Sequence, residues 1–397
     1  MRIGVITPTP TPYRDPFWST VSKRPEVDLE VFYCGGVTQD RPWDVSWAFD
    51  FRAEVMPGRN LHKKLGYDAC CYYNPGLPRR LREGQYDGLI FGGYNHVTMQ
   101  IGLAYALLNR IPYFMMCEVY LNQPRWIWRK FVKTLPLRFL LTRAAGCFPT
   151  GTLAERYMRH YGVSEKRMCH VPNAPDVQAY WQQAQQLAPN RIQMRRETGF
   201  GDESVILFVG RLIDLKEVDT LLHAFAQVAK GRPCRLVILG DGPTQPRLER
   251  LSRDLGIAHL VSFPGFLPPD QLPKWYAMSD LFVLPSSDET WSVVVLEALA
   301  SGVPVVITKM VGCFADVLND PIVGEAVPPC DVVNLTRAIE RRLAARVSRD
   351  EIANAWAPIR ACLRYDVIAE RMAKTLARCI GNSTNTRSAK TVSALTE

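Results

Sequence analysis

The chain has no Cys-x-x-Cys pair and no histidine-rich stretch, although it holds 11 cysteines and 6 histidines among its 397 residues. Cysteines that are odd in number and scattered argue against a disulfide framework and a zinc site, and fit reduced thiols in a cytosolic protein. No Asp-x-Asp occurs anywhere, so the chain offers no adjacent carboxylates for a metal ion to bridge to phosphate. There is no signal-peptide pattern. Met1 to Pro8 is too short and too Pro-interrupted, and reads as a first strand. The longest apolar run, Trp291 to Thr308, is broken by Glu297, Gly302 and Pro304, which excludes a membrane span. Nor does Gly-x-Gly-x-x-Gly follow the first strand. The loop there runs Pro8-Thr9-Pro10-Thr11-Pro12-Tyr13-Arg14-Asp15-Pro16, which argues against a simple dinucleotide-binding enzyme.

What is present points to two domains. Apolar residues make up 47% of the chain, and single cores stop growing at about 250–300 residues. The net charge of +9 favours anionic partners: nucleotide phosphates, nucleic acid or an acidic lipid surface. Nucleic acid needs a concentrated basic stripe, and the clearest one, residues 125–143, is as apolar as it is basic. Apolar β-branched runs recur at Arg2–Thr7, Leu29–Tyr33, Gly88–Phe91, Pro112–Cys117 and Gly146–Phe148. They return at Val205–Val209, Arg235–Leu239, Val261–Phe263, Leu281–Leu284 and Val303–Thr308. Helical segments separate them, so each half is expected to be a parallel sheet wound with helices. Residues 37–85 show little periodicity. Such sheets place their chemistry at the carboxyl ends of strands. Tyr94, Asn95, His96 and Glu118 fall at such ends. His96 also has a plainer reading as a neighbour of a helix start.

The second half is organised around Pro285 to Gly302. Leu281–Leu284 reads as a strand that stops at Pro285. A polar turn carries Glu289, and Val293–Ala300 reads as a helix containing Glu297. Unpaired N–H groups at the start of such a helix favour an anion. Two carboxylates beside a phosphate site fit a ligand with both hydroxyls and phosphates, such as a nucleotide sugar. Upstream, Gly210-Arg211-Leu212 follows a strand, and Lys216 lies five residues after the arginine. Arginine offers planar paired donors and lysine a point charge, both suited to a diphosphate.

Glu289 and Glu297 enclose seven residues, and with the Gly-Arg-Leu…Lys segment this resembles the E-x7-E signature of retaining glycosyltransferases of family 4. Cys169 to Asp176 is similar to the Pro-Asn-x-x-Asp segment at which that family leaves its first domain. The resemblance implies a GT-B fold: α/β, two doubly wound Rossmann-like domains facing across a cleft. It implies an acceptor domain over 1–176 and a nucleotide-sugar domain over 204–360, and the Gln-rich, polar residues 177–203 between them read as linker and lead-in helix. A C-terminal helix over 361–380 crosses back to the first domain, and the Ser/Thr-rich tail 381–397 is expected to be disordered.

By the same resemblance the donor lies against Gly210, Arg211, Lys216, Gly240, Asp241, Gly242, Phe266, Glu289, Trp291, Ser292, Val293 and Glu297. Tyr13, Arg14, Tyr94, Asn95 and His96 face the acceptor. Catalysis falls to Glu289, Arg211, Lys216, His96 and Glu118, with no metal and no cofactor beyond a nucleotide-diphosphate sugar, UDP-sugar favoured. Glu297 would accept from the ribose hydroxyls and Glu289 from sugar hydroxyls. The chain departs from the pattern twice: Glu217 and Ser292 stand where the family often has glycine. A nucleotide-sugar epimerase, a non-catalytic sugar-binding subunit and a hydrolase using the two carboxylates are the alternatives. The expected partners are the nucleotide sugar, a glycan or lipid-linked acceptor, and an anionic membrane surface through residues 125–143, where apolar and basic residues interleave. The same stretch equally fits a helix packed on the first domain. The expected location is cytoplasmic, at the inner face of the membrane.

Overall fold

The computed structural model describes residues 1–36, 49–61, 71–121, 127–345 and 347–393, the side chains of 127–133 and 382–393 excepted. The chain divides into two compact units, Met1–Asn173 with the segment from Tyr365, and Ala174–Arg364. The described cysteines are free thiols.

The first unit begins with β1 (Arg2–Thr7), α1 (Asp15–Ser22), β2 (Asp28–Tyr33) and β3 (Ala53–Val55). A small antiparallel pair, β4 (Arg59–Asn60) and β5 (Tyr72–Tyr73), precedes α2 (Leu77–Gly84). Then come β6 (Gly88–Phe91), α3 (Val97–Leu108), β7 (Tyr113–Cys117), α4 (Ile127–Arg143), β8 (Gly146–Pro149) and α5 (Thr152–His160). The six-stranded sheet has the order β3-β2-β1-β6-β7-β8 and is parallel throughout. Its central strands are buried on both faces, with Ile3, Val5, Ile6, Leu89, Ile90 and Phe114 at 0% exposure, as parallel sheets covered by helices require. In the described part of the aperiodic stretch one side chain ties two loops together. Asn74 is fully buried, and its amide nitrogen donates to the carbonyls of Cys34 and Met56, each at 3.0 Å. A buried amide serving two loops leaves no periodic trace in a sequence.

The second unit opens with α6 (Val177–Leu187) and α7 (Arg191–Glu197). Next are β9 (Ser204–Val209), α8 (Val218–Gly231), β10 (Cys234–Leu239), α9 (Gln245–Asp254), β11 (Val261–Gly265) and α10 (Leu272–Met278). They lead to β12 (Leu281–Leu284), α11 (Val293–Ala300), β13 (Val305–Thr308), α12 (Phe314–Val317), β14 (Gly324–Val327), α13 (Val332–Ala344) and α14 (Arg349–Cys362). Its six strands are again parallel, in the order β11-β10-β9-β12-β13-β14. Both sheets therefore have the doubly wound order, which reverses beside the first strand, between β1 and β6 and between β9 and β12.

Two expectations are corrected. Residues 177–203, expected as linker and lead-in helix, hold two helices and belong to the second unit. Asp176 caps α6 by accepting from Ala179 N–H at 2.9 Å, and α7 is tied to the unit by Arg191 and Arg195, which both pair with Asp280. The glutamine-rich composition suits both helices, because glutamine is a good helix former. At the other end, α15 (Tyr365–Ser393) continues past Gly381, where disorder was expected. The segment after Gly381 contains no proline, so nothing stops the helical ladder. Ile368, Ala369, Met372, Ala373 and Leu376 are at most 1% exposed and form the buried stripe of α15. The Tyr365 hydroxyl donates to Tyr13 O at 3.3 Å within the first unit.

Arginines also close the amino-terminal edge of the second sheet. Arg349 donates to Ser301 O at 3.0 Å, to Tyr276 O at 2.9 Å and to Ser279 O, satisfying carbonyls at the ends of α10 and α11. Burial, with Arg191 adding to it, pushes its pKa down to about 9. Arg349→Met is expected to lower the stability of this unit by about 2–4 kcal/mol, because three buried acceptors lose their donor. Urea unfolding followed by tryptophan fluorescence measures it, and an unchanged midpoint contradicts that role.

Candidate functional site

The loops leaving β9 and β12 flank the point where the second sheet reverses, and they carry the expected donor residues. They are joined by backbone: Ser287 N–H donates to Leu215 O at 2.9 Å. The loop after β13 holds the other side. Glu289 N–H donates to Met310 O at 3.1 Å, and Gly312 N–H to Glu289 O at 2.8 Å. Between them the Lys216 ammonium pairs directly with the Glu289 carboxylate, with 15% and 19% of their side chains exposed. Two residues 73 apart in sequence thus meet as an ion pair. Arg211 is half-buried in the same loop as Lys216. Phe266, 38% exposed, stands just past the carboxyl end of β11.

Several expected site residues have different surroundings. Trp291 is 3% exposed and belongs to the core. Gly240 and Gly242 take φ of +133° and +154°. A Cβ on Gly240 would lie 1.9 Å from Gly210 O, and one on Gly242 2.3 Å from Leu212 O. These glycines were expected to admit a ligand, but what approaches them is the neighbouring protein loop. Leu212 N–H donates to Asp241 O at 2.7 Å across the same contact, while the Asp241 side is exposed.

Glu297 is 7% exposed. Its carboxylate accepts from the Tyr276 hydroxyl at 2.8 Å and from Tyr180 of α6. Burial pushes its pKa up to about 7, and the two hydroxyls only partly oppose that. Ser292, the residue before α11, has φ +94° and ψ +94° and makes no side-chain cap. Glu217 has φ +51°. Both positions where glycine was expected therefore keep a left-handed backbone without glycine.

In the first unit, residues at the carboxyl ends of β1, β6 and β7 gather in pairs. Arg14 donates to Glu118 at 3.0 Å. The Tyr94 and Tyr157 hydroxyls lie 3.4 Å apart, and Asn95 is exposed. His96 precedes α3, and its Nδ1 accepts from Tyr72 N–H at 3.4 Å, so the neutral ring carries its proton on Nε2. The sequence reading missed Asp15. It accepts from the Tyr33 hydroxyl at 2.6 Å and from Thr11 N–H at 3.1 Å. Burial pushes it up to about 6, against the pull of Tyr33. Asp15 opens α1, eight residues past the end of β1, so the criterion that picked out Glu118, a carboxylate directly at a strand end, does not reach it. His170, paired with Glu155 at 2.6 Å, was also missed. Among the described residues no three His, Cys, Asp or Glu side chains come together as a metal site.

The burial of Glu297 has a pH signature. Its ordinary value of 4.5 rises to about 7 in the folded chain. Between those values the folded state keeps a proton that the unfolded state releases, so stability falls as pH rises through that window and then levels. Glu297→Gln is expected to lack this component. Melting temperatures of both proteins from pH 4.5 to 8 test it, and parallel curves would assign the pH dependence elsewhere.

The comparisons follow the same division. Residues 190–356 match the family model of glycosyl transferases group 1, a stretch within the second unit that contains Arg211, Lys216, Glu289 and Glu297. An uncharacterized glycosyltransferase of Methanocaldococcus jannaschii is 34% identical over 180 residues, 45% of this chain and 44% of the relative. A GDP-mannose-dependent alpha-(1-6)-phosphatidylinositol monomannoside mannosyltransferase of Mycolicibacterium smegmatis is 36% identical over 208 residues, 49% of this chain and 52% of the relative. The chain thus matches about half the length of these curated relatives. The solved structure of Anabaena HepE in complex with UDP-glucose superposes with a TM-score of 0.69 at 18% identity, covering 95% of this chain and 100% of that one. The chain has the GT-B fold, and its second unit carries the glycosyl transferases group 1 match, in keeping with the resemblance to family 4.

Proposed function

We propose that the chain is a retaining glycosyltransferase. It moves a hexose-type sugar from a nucleotide-diphosphate sugar, a UDP-sugar first among them, to a hydroxyl of a glycan, glycolipid or lipid-linked acceptor, without a metal ion. The observation that carries this reading is the Lys216–Glu289 pair at the reversal of the second sheet. The free protein keeps a cation and a carboxylate satisfied by each other. An arriving donor replaces that one pair with two: its diphosphate takes Lys216 and its sugar hydroxyls take Glu289. Little charge is stranded on either side of the exchange.

Breaking the anomeric C–O bond leaves negative charge on the diphosphate. Lys216, Arg211 and the N–H groups of Ser292 and Val293 stabilise it, each well-placed donor being worth about 3–4 kcal/mol. The acceptor attacks from the face that the diphosphate leaves, which retains configuration. The first unit, with Arg14, Tyr94, Asn95, His96 and Glu118, is the acceptor's side. The Mycolicibacterium relative is named for GDP-mannose and the Anabaena structure holds UDP-glucose, so the nucleotide is a matter for measurement.

A thermal-shift panel of UDP-, GDP- and ADP-sugars against wild type and Lys216→Ala provides the test. One donor class is expected to raise the melting temperature of wild type and not of the variant, and turnover should fall about 100-fold or more in the variant. A variant that keeps both the shift and the turnover would falsify the diphosphate role.

The location at an acidic membrane surface is part of this proposal. Residues 125–126 and the side chains of 127–133 lie outside the described residues. In the rest of α4, Leu137 and Leu141 are buried in the first unit at 3% and 2% exposure, so the helix is packed. Its other face leaves Leu135 77% and Phe139 46% exposed. Arg138 and Arg143 are exposed with them, and Arg143 lies 4.0 Å over the Phe139 ring. Among the described residues no helix is long and apolar enough to cross a membrane, so contact is of the interfacial kind. Each cation near anionic lipid contributes about 1 kcal/mol. Leu135→Asp with Phe139→Asp is expected to reduce co-sedimentation with phosphatidylglycerol vesicles about tenfold or more. Equal binding by wild type and the double variant, or none by either, would remove the membrane from the proposal.

A further inference from the structure

Glu217 and Ser292 are the two residues other than glycine with positive φ in the described loops of the donor site. They differ in how the fold accommodates them. Glu217, at φ +51°, lies in the ordinary left-handed well, and its carboxylate accepts from the Thr220 hydroxyl at 3.1 Å and bonds Cys330. Its side chain has local partners that justify it. Ser292, at φ +94° and ψ +94°, lies outside that well. Serine is a favoured helix-capping residue because its oxygen accepts from the first-turn N–H groups. Here the backbone angles forbid that, and no cap bond forms. The residue is only 7% exposed, and its hydroxyl oxygen is shut from solvent with no hydrogen-bond partner among the described residues. The backbone has little room to relax, since the Cys313 thiol, wholly buried, donates to Ser292 O at 3.9 Å. Compared with glycine, Ser292 costs the free protein twice, once in backbone strain and once in an unmet hydroxyl.

We infer that Ser292 is retained for its hydroxyl, which donates to a phosphate oxygen of the bound nucleotide diphosphate. This rests on the functional reading above and adds a side-chain contact to it. The uncapped start of α11 supplies backbone N–H groups for an anion. The serine hydroxyl, carried by the residue just before α11, completes that set. The unsatisfied polarity held in the free state is relieved when the phosphate arrives, so Ser292 exchanges stability for donor affinity.

The test uses the full chain as wild type, Ser292→Gly and Ser292→Ala. Melting temperature is read alongside calorimetric binding of UDP, GDP and ADP, with the matching nucleoside as control. Ser292→Gly is expected to melt several degrees higher than wild type yet bind the preferred diphosphate about five- to tenfold more weakly. Ser292→Ala keeps the strained Cβ and loses the hydroxyl. It should melt no more than slightly higher than wild type and show the same loss of diphosphate affinity. Nucleoside binding should be unchanged in both. A glycine or alanine variant that binds the diphosphate as tightly as wild type overturns the inference, and so does a loss of equal size for the nucleoside. A well-folded wild type that binds none of the three diphosphates overturns the functional reading itself, and the inference with it.

Discussion

Asp280 is the point at which the second unit is fastened. It lies just before β12, accepts from Val205 N–H at 2.8 Å and pairs with Arg191 and Arg195 of α7. Burial alone would raise its pKa, but the two arginines outweigh that and hold it below the ordinary carboxylate range. Arg349, beside them, binds the terminal carbonyls of α10 and α11. Helices from distant parts of the chain are thereby locked to the amino edge of one sheet. A buried carboxylate is tolerated only when paired and hydrogen-bonded, so these contacts are mutually dependent.

That rigid edge matters because the opposite edge is where the loops carry cost. Ser292 is held at unfavourable angles, Lys216 and Glu289 are locked to each other, and Glu297 is kept in an apolar setting. Strain of this kind persists only where the surrounding structure over-determines it. The loops after β9, β12 and β13 are cross-linked by backbone bonds at Ser287, Glu289 and Gly312. The charge pair is thus preorganised, and a bound donor would meet groups already in position.

Much of this was legible in the chain. The apolar runs that read as strands include every central strand of the two sheets, because a strand buried on both faces needs continuous apolar residues, and the two strands of these sheets that were not read, β3 and β14, lie at sheet edges. Arg211, Lys216, Glu289 and Glu297 were singled out by their charge, their place after a strand or in a helix, and the resemblance to family 4, and all belong to the loops or helix at the sheet reversal. What was not legible has physical reasons. Trp291 was expected against the donor by resemblance, but it is 3% exposed and belongs to the core. Gly240 and Gly242 answer to two carbonyl oxygens contributed by residues about thirty positions upstream. Asn74 and Asp15 act through side-chain hydrogen bonds to distant or loop residues that follow no period.

Local chemistry by itself determined the two α/β halves, the position of the phosphate-suited helix start and the charged residues set around it. Those depend on periodicity, turn residues and charge, which neighbours in sequence supply. Tertiary structure alone decided that Lys216 and Glu289 are partners, that Glu297 is shared with two tyrosines, that residues 177–203 are part of the second unit, and that Ser292 keeps a backbone suited to glycine. Each of these is an interaction between segments far apart in the chain, and its energy exists only once the sheets have brought them together.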